Sequence, residues 1–165
     1  MATPTNLPAS FVSGSILTAD QMNNLRGAFR ILQVVSGSTA TQVTSATNTP
    51  IDTSLTATIT PQSTASKILV CINQNGLLKI TGDTSMAISV LRGGTNIGTI
   101  LGQGGVTQSA AANGFGGVGA MILDSPATTS ATTYKTQFFS VSNIPTVAVQ
   151  HTNIVSTIIL MEISA

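Results

Sequence analysis

Charge is what this chain has least of. Only 7% of its residues are charged, against roughly 25% in an average globular chain. The six basic residues (Arg26, Arg30, Lys67, Lys79, Arg92, Lys135) are scattered. They form no cationic stripe to follow a phosphate backbone, so nucleic-acid binding is not expected. There is no tryptophan and one tyrosine, which leaves few platforms for stacking a sugar. Cys71 is the single cysteine. It excludes a disulfide within the chain, and its apolar strand marks it as a small buried hydrophobe. His151 is the single histidine, too little for a triad or a zinc site within one chain. It is expected on the strand face of Val147 and Val149. The five acids Asp20, Asp52, Asp83, Asp124 and Glu162 are spread over the whole chain. No facing pair stands out for glycoside hydrolysis, and no enzyme is expected. No apolar run reaches the roughly 18 residues of a membrane span. The opening MATPTNLPAS lacks the basic start and apolar core of a signal peptide, so a cytoplasmic product is expected.

What is present is alternation. From Ser54 to Thr60, Leu55, Ala57 and Ile59 alternate with serine and threonine, the period of a strand with one wet face. Pro61 ends that strand, because it has no amide hydrogen for a ladder. After a polar turn, Ile68 to Ile72 run without a polar break. A strand apolar on both faces must be covered on both. One cover is the core of its own domain, and the other is a second sheet or a second subunit. Ile68, Val70 and Ile72, with Ile158 and Leu160 near the C-terminus, are the expected oligomer interface.

Similar runs place strands near 31–36, 41–46, 53–60, 67–74, 85–92, 95–101, 117–123, 133–141, 146–151 and 155–163. Turn formers separate them at Ser36–Gly37, Asn48–Pro50, Asn75–Gly76, Thr81–Asp83, Gly93–Gly94, Ser125–Pro126 and Asn143–Pro145. Short strands at this spacing predict an all-β domain over 31–165, a jelly-roll-like β-sandwich. Gly93–Gly94, between two strand-like runs, is a good tight-hairpin candidate. The stretch Gly102 to Gly119 holds seven glycines and is expected to be a long loop at one end of the sandwich. Within it, Gly114 to Gly119 fits G-x-G-x-x-G. Its flanks lack the strand-then-helix context of a dinucleotide site, so no cofactor is expected.

Residues 1–30 are expected to be an arm and a short helix. Thr18 and Gln21 have the spacing of a capping box, with Leu17 and Met22 at the staple positions. Met22, Leu25 and Phe29 follow at helical spacing. A helix of about ten residues is marginal alone, so this stripe, with Leu17, is the expected docking surface.

The segments carry a resemblance. Thr56 to Val70, TATITPQSTASKILV, resembles a strand–turn–strand of small bacteriophage virion proteins. Ile31 to Ser36 (ILQVVS), Val90 to Gly98 (VLRGGTNIG) and Ser156 to Ser164 (STIILMEIS) resemble their other strands, in the same order. Phe11 to Leu25 (FVSGSILTADQMNNL) is similar to the lead-in of phage tail and fibre proteins. The resemblance covers most of the chain. It implies a structural virion part assembled in the host cytoplasm: a homotrimeric knob, short fibre or capsid decoration, attached to another virion protein. The alternative is a receptor-binding module for host surface glycan, acting through the Gly102–Gly119 end.

Overall fold

The structure, a computed structural model, describes residues 30–107, 110–142 and 145–164, together with 14, 16, 18 and 19. The predicted docking residues Leu17, Met22, Leu25 and Phe29 lie outside the described residues, as does nearly all of the predicted helix.

Among the described residues ten strands form two antiparallel sheets. They are β1 (Ile31–Thr39), β2 (Val43–Ser45), β3 (Ile51–Ile59), β4 (Lys67–Lys79), β5 (Thr84–Arg92), β6 (Thr95–Thr107), β7 (Asn113–Asp124), β8 (Thr132–Ser140), β9 (Val147–Val149) and β10 (Ser156–Ile163). The pairs are nested. β1 pairs β10, β2 pairs β9, β3 pairs β8, β4 pairs β7 and β5 pairs β6. The chain is thus one long hairpin, rolled so that successive long pairs fall in alternate sheets. Its tip is the turn at Gly93–Gly94, where Arg92 faces Thr95. Gly93 has φ 57 while Gly94 has no positive φ, the pattern of a type II′ turn. The roll is sealed by three further pairings, β10 with β4 and β4 with β9 in one sheet and β5 with β8 in the other. The fold is a β-sandwich, as expected.

Side-chain alternation fills the space between the sheets. Leu55, Ala57 and Ile59 of β3 point inward and are buried, while Thr56 and Thr58 face out. Ile68, Val70 and Ile72 of β4 meet them, with Val90, Tyr134, Ile158 and Leu160. A second cluster is built from Leu77, Met86, Ile88, Phe138, Val147 and Val149. Buried polar groups also lie inside. Thr136 Oγ1 donates to Gln74 Oε1 at 2.8 Å, and Gln74 Nε2 donates to Ser156 Oγ at 3.1 Å. Buried amides and hydroxyls are tolerated when partnered in this way.

Five expectations are corrected. The predicted turn at Ser36–Gly37 lies inside β1, where both residues stay in register with β10. The predicted turn at Asn75–Gly76 is a bulge inside β4. Gly76 takes φ 63, and the pairing with β7 shifts between Asn75 and Leu77. A glycine at positive φ adds one residue to a strand without ending it. The Gly102–Gly119 stretch is mostly strand, with β6 running to Thr107 and β7 starting at Asn113. Glycine keeps its backbone donor and acceptor, and Gly114, Gly116, Gly117 and Gly119 all stand in register with β4. His151 is not on a strand. Gln150 turns left-handed at φ 51 and ends β9, so His151 opens a short 3-10 turn, where its Nδ1 lies 3.1 Å from Gln42 Oε1. Cys71 is not in the core. It is half-buried on the outside of its sheet, because Val70 and Ile72 take the inward positions.

Candidate functional site

The two outer faces of the sandwich differ in chemistry. On the β3–β8–β5–β6 sheet the outward positions of β3 and most of those of β8 are polar, while Ala87, Leu91 and Phe139 are apolar outward positions of β5 and β8. Thr58 and Thr133 share a hydrogen bond of 2.8 Å between their hydroxyls. Asp52 accepts from Lys135 Nζ at 2.8 Å and from Gln137 Nε2 at 2.7 Å. Partial burial pushes the Asp52 carboxyl up, but these two hydrogen bonds and the Lys135 charge outweigh it. The carboxyl therefore sits below its ordinary value. Cross-strand polar pairs of this kind stabilise a solvated face.

The β1–β10–β4–β7 sheet differs. Its register aligns outward side chains in rows across four strands. Val34, Met161, Leu69 and Leu123 form one row. Ser36, Ile159, Cys71 and Met121 form the next, and Ser38, Thr157, Asn73 and Gly119 the third. No residue in the three rows is charged. Met121 is 77% exposed, Leu123 60% and Val34 58%. Beside the Met121 ridge lies an open hollow of about 480 Å³, lined by Cys71, Asn73, Gly119, Met121, Thr157 and Ile159. Scattered exposed apolar residues are ordinary, but a contiguous apolar patch marks an interaction surface.

The five residues nominated as an interface do not reach the surface of the single chain. Ile68, Val70, Ile72, Ile158 and Leu160 are buried in the core of the single chain. Their neighbours Leu69, Cys71, Ile159 and Met161 carry the outer face. The misleading residue is Glu162, which shares the parity of Ile158 and Leu160 and reads as solvated. It is instead fully buried. Its Oε2 accepts from Gln33 Nε2 at 2.6 Å, and its Oε1 from the Gln62 amide at 2.7 Å. Two charge-assisted hydrogen bonds offset much of the desolvation of a buried carboxylate.

Asp124 is likewise part of the framework. It closes one end of the sandwich, accepting from Arg92 Nη1 on both oxygens at 2.9 Å and from the Tyr134 hydroxyl at 2.7 Å. This cluster ties β7 of one sheet to β5 and β8 of the other. Among the described residues no group of three or more His, Cys, Asp or Glu could hold a metal ion.

Tyr134 gives a test of that tie. Burial, then the hydrogen bond to Asp124 and its negative charge, push the phenol well above its ordinary value, against the opposing charge of Arg92. A raised phenol keeps its proton in the folded chain after the unfolded chain has lost it. This contribution is complete below the unfolded value near pH 10 and is lost as pH rises beyond it. Tyr134→Phe should cost about 1–2 kcal/mol at neutral pH. It should also reduce the fall in melting temperature between pH 9 and 11, read by thermal melts across that range. An unchanged alkaline fall would place its origin elsewhere.

No protein-family model matches the chain and no curated protein matches it, which leaves the contrast between the two outer faces as the strongest structural pointer to function.

Proposed function

We propose that this chain is a non-enzymatic structural protein of a bacteriophage particle, a homotrimeric knob, short fibre or capsid decoration. The observation that carries the reading is a sandwich with one outer face that bears an ion pair and polar cross-strand pairs and another whose central rows bear exposed apolar side chains and no charge. Such a domain is finished as a fold and unfinished as a surface, which is the condition of an assembly subunit. The low charge of the chain and its resemblance to phage virion proteins support the same reading. The finer architecture is a jelly roll. Its support is the nested order of pairs, with β1-β10-β4-β7 in one sheet and β3-β8-β5-β6 in the other. The alternative of a glycan-binding module draws no support from the Gly102–Gly119 end, since most of that stretch is paired strand.

Within this reading residues 2–29 attach the sandwich to another virion protein, with Leu17, Met22, Leu25 and Phe29 as the buried stripe. Arg30 belongs to the sandwich, because its backbone exchanges hydrogen bonds with Ser164. Deleting 2–29 should leave a folded β protein with unchanged circular dichroism and remove it from assembled particles. Cryo-EM and mass spectrometry of purified particles provide the test. A full-length chain absent from particles would sink the virion reading, and a truncated chain still incorporated would move the attachment to the sandwich.

A further inference from the structure

We propose that the apolar outer face of the β1–β10–β4–β7 sheet is the surface through which one copy of this chain meets a second copy, with the Cys71–Met121 row inside the contact. The proposal rests on the reading of the chain as an assembly subunit and assigns the surface that reading leaves open.

Charge argues for the occupant. When a face packs against copies of itself, any charge on it is brought close to its own kind. The three rows contain twelve residues across four strands and no charged side chain; the charge on this face is at its border, where Lys67 stands in the next row beside Ile163. Other partners would ask for different chemistry. A nucleic acid or an anionic membrane surface needs lysine and arginine, and a glycan calls for aromatic rings to stack on. The rows hold neither. The opposite sheet, with Asp52 and Lys135 on its outside, has the composition of a face that stays wet.

Shape argues the same way. Met121 stands out from β7 as a ridge, and Gly119, two residues earlier on the same face, leaves the adjoining hollow open. A face that carries both a ridge and a hollow can seat the ridge of one copy in the hollow of the next. Methionine suits that role, being unbranched and able to fill irregular space. Gly119 itself is not required by the single sandwich. A Cβ built there meets only the Ile72 carbonyl oxygen, at an ordinary 3.5 Å. A larger side chain at 119 would fill the hollow without disturbing the core.

The single cysteine makes the face readable in the full chain, since any thiol label reports Cys71 alone. Sedimentation velocity at micromolar concentration and the rate of maleimide labelling should be measured on three proteins: the natural chain, Met121→Glu and Gly119→Leu. Both substituted positions are exposed, and a thermal melt confirms that the sandwich remains. The natural chain should sediment as an oligomer with a protected thiol. Both variants should shift towards monomer. Met121→Glu should also label about an order of magnitude faster, as the thiol regains solvent, whereas Gly119→Leu fills the hollow that Cys71 lines and is read by sedimentation alone. Variants that remain oligomeric would place self-association on another surface, and the particle assignment would stand untouched. A monomeric natural chain with a protected thiol would mean that its own N-terminal residues cover the face, and a monomer with a freely reactive thiol would mean that nothing does. Either monomer would overturn the proposal.

Discussion

Val70→Asp should yield no folded protein, whereas Leu69→Asp, one residue away, should fold. Val70 is completely buried. It lies in register between Leu160 of β10 and Ile122 of β7, in the cluster with Leu55 and Tyr134. Replacing it forfeits about 1.5–3 kcal/mol of side-chain burial. It also asks the core to take a carboxylate with no partner, at several kcal/mol more even when the group neutralises. Together these rival the 5–15 kcal/mol that holds a domain folded. Glu162 shows what a tolerated acid in this core requires, namely Gln33 and the Gln62 amide placed against both of its oxygens. Nothing comparable faces position 70, whose cluster neighbours are apolar side chains and Tyr134, with its hydroxyl committed to Asp124. Leu69 instead points to the outer face, level with Met161 and Leu123, where a carboxylate keeps access to water. Soluble yield and far-UV circular dichroism of the two variants decide the matter. If Val70→Asp folds, or if both variants fail alike, the assignment of inner and outer faces in β4 is wrong.

That comparison also marks where the sequence stops being readable. Strand β3 announces its parity, because threonines alternate with Leu55, Ala57 and Ile59, and burial follows the pattern. Strands β4 and β10 announce only that both faces are apolar. Local periodicity cannot then say which face turns inward, and the polar residues Gln74 and Glu162 point to the wrong answer. Both are buried because strands distant in sequence supply their partners: Thr136 and Ser156 for Gln74, Gln33 and Gln62 for Glu162. That β4 is apolar on both faces was thus legible, and which of its residues turn inward was not. Glycine misled for a related reason. Gly76 and the Gly102–Gly119 stretch lack side-chain preference, so their strand state comes from the neighbouring ladder of β4 and β7, which no local signal records.

Gly37→Val should lower the melting temperature by roughly 6–12 °C, the equivalent of about 3 kcal/mol in a chain of this size. Gly37 lies in β1 opposite Ile158 of β10, on the side of β1 that faces the other sheet. There the backbones of the two sheets come together. A Cβ built at position 37 would collide with the Thr56 carbonyl of β3 and stand 3.2 Å from Ile158 Cγ2. Backbone on one side and a buried side chain on the other leave little room to adjust. The requirement is for space, because Gly37 has no positive φ. Valine adds two γ-carbons and a stiff χ1, so β1 must draw away from β3. As a strand whose one sheet partner among the described residues is β10, β1 is the element able to move. Its retreat would uncover Val35, which packs against the main cluster. A glycine elsewhere separates this effect from any general cost of substitution. Gly102 in β6 has nothing within 4 Å of a built Cβ, and Gly102→Ala should melt as the natural chain does. Thermal melts of the two variants side by side read the difference. Equal melting would mean that β1 does not cross β3 at Thr56, and the sandwich would have to close along another edge.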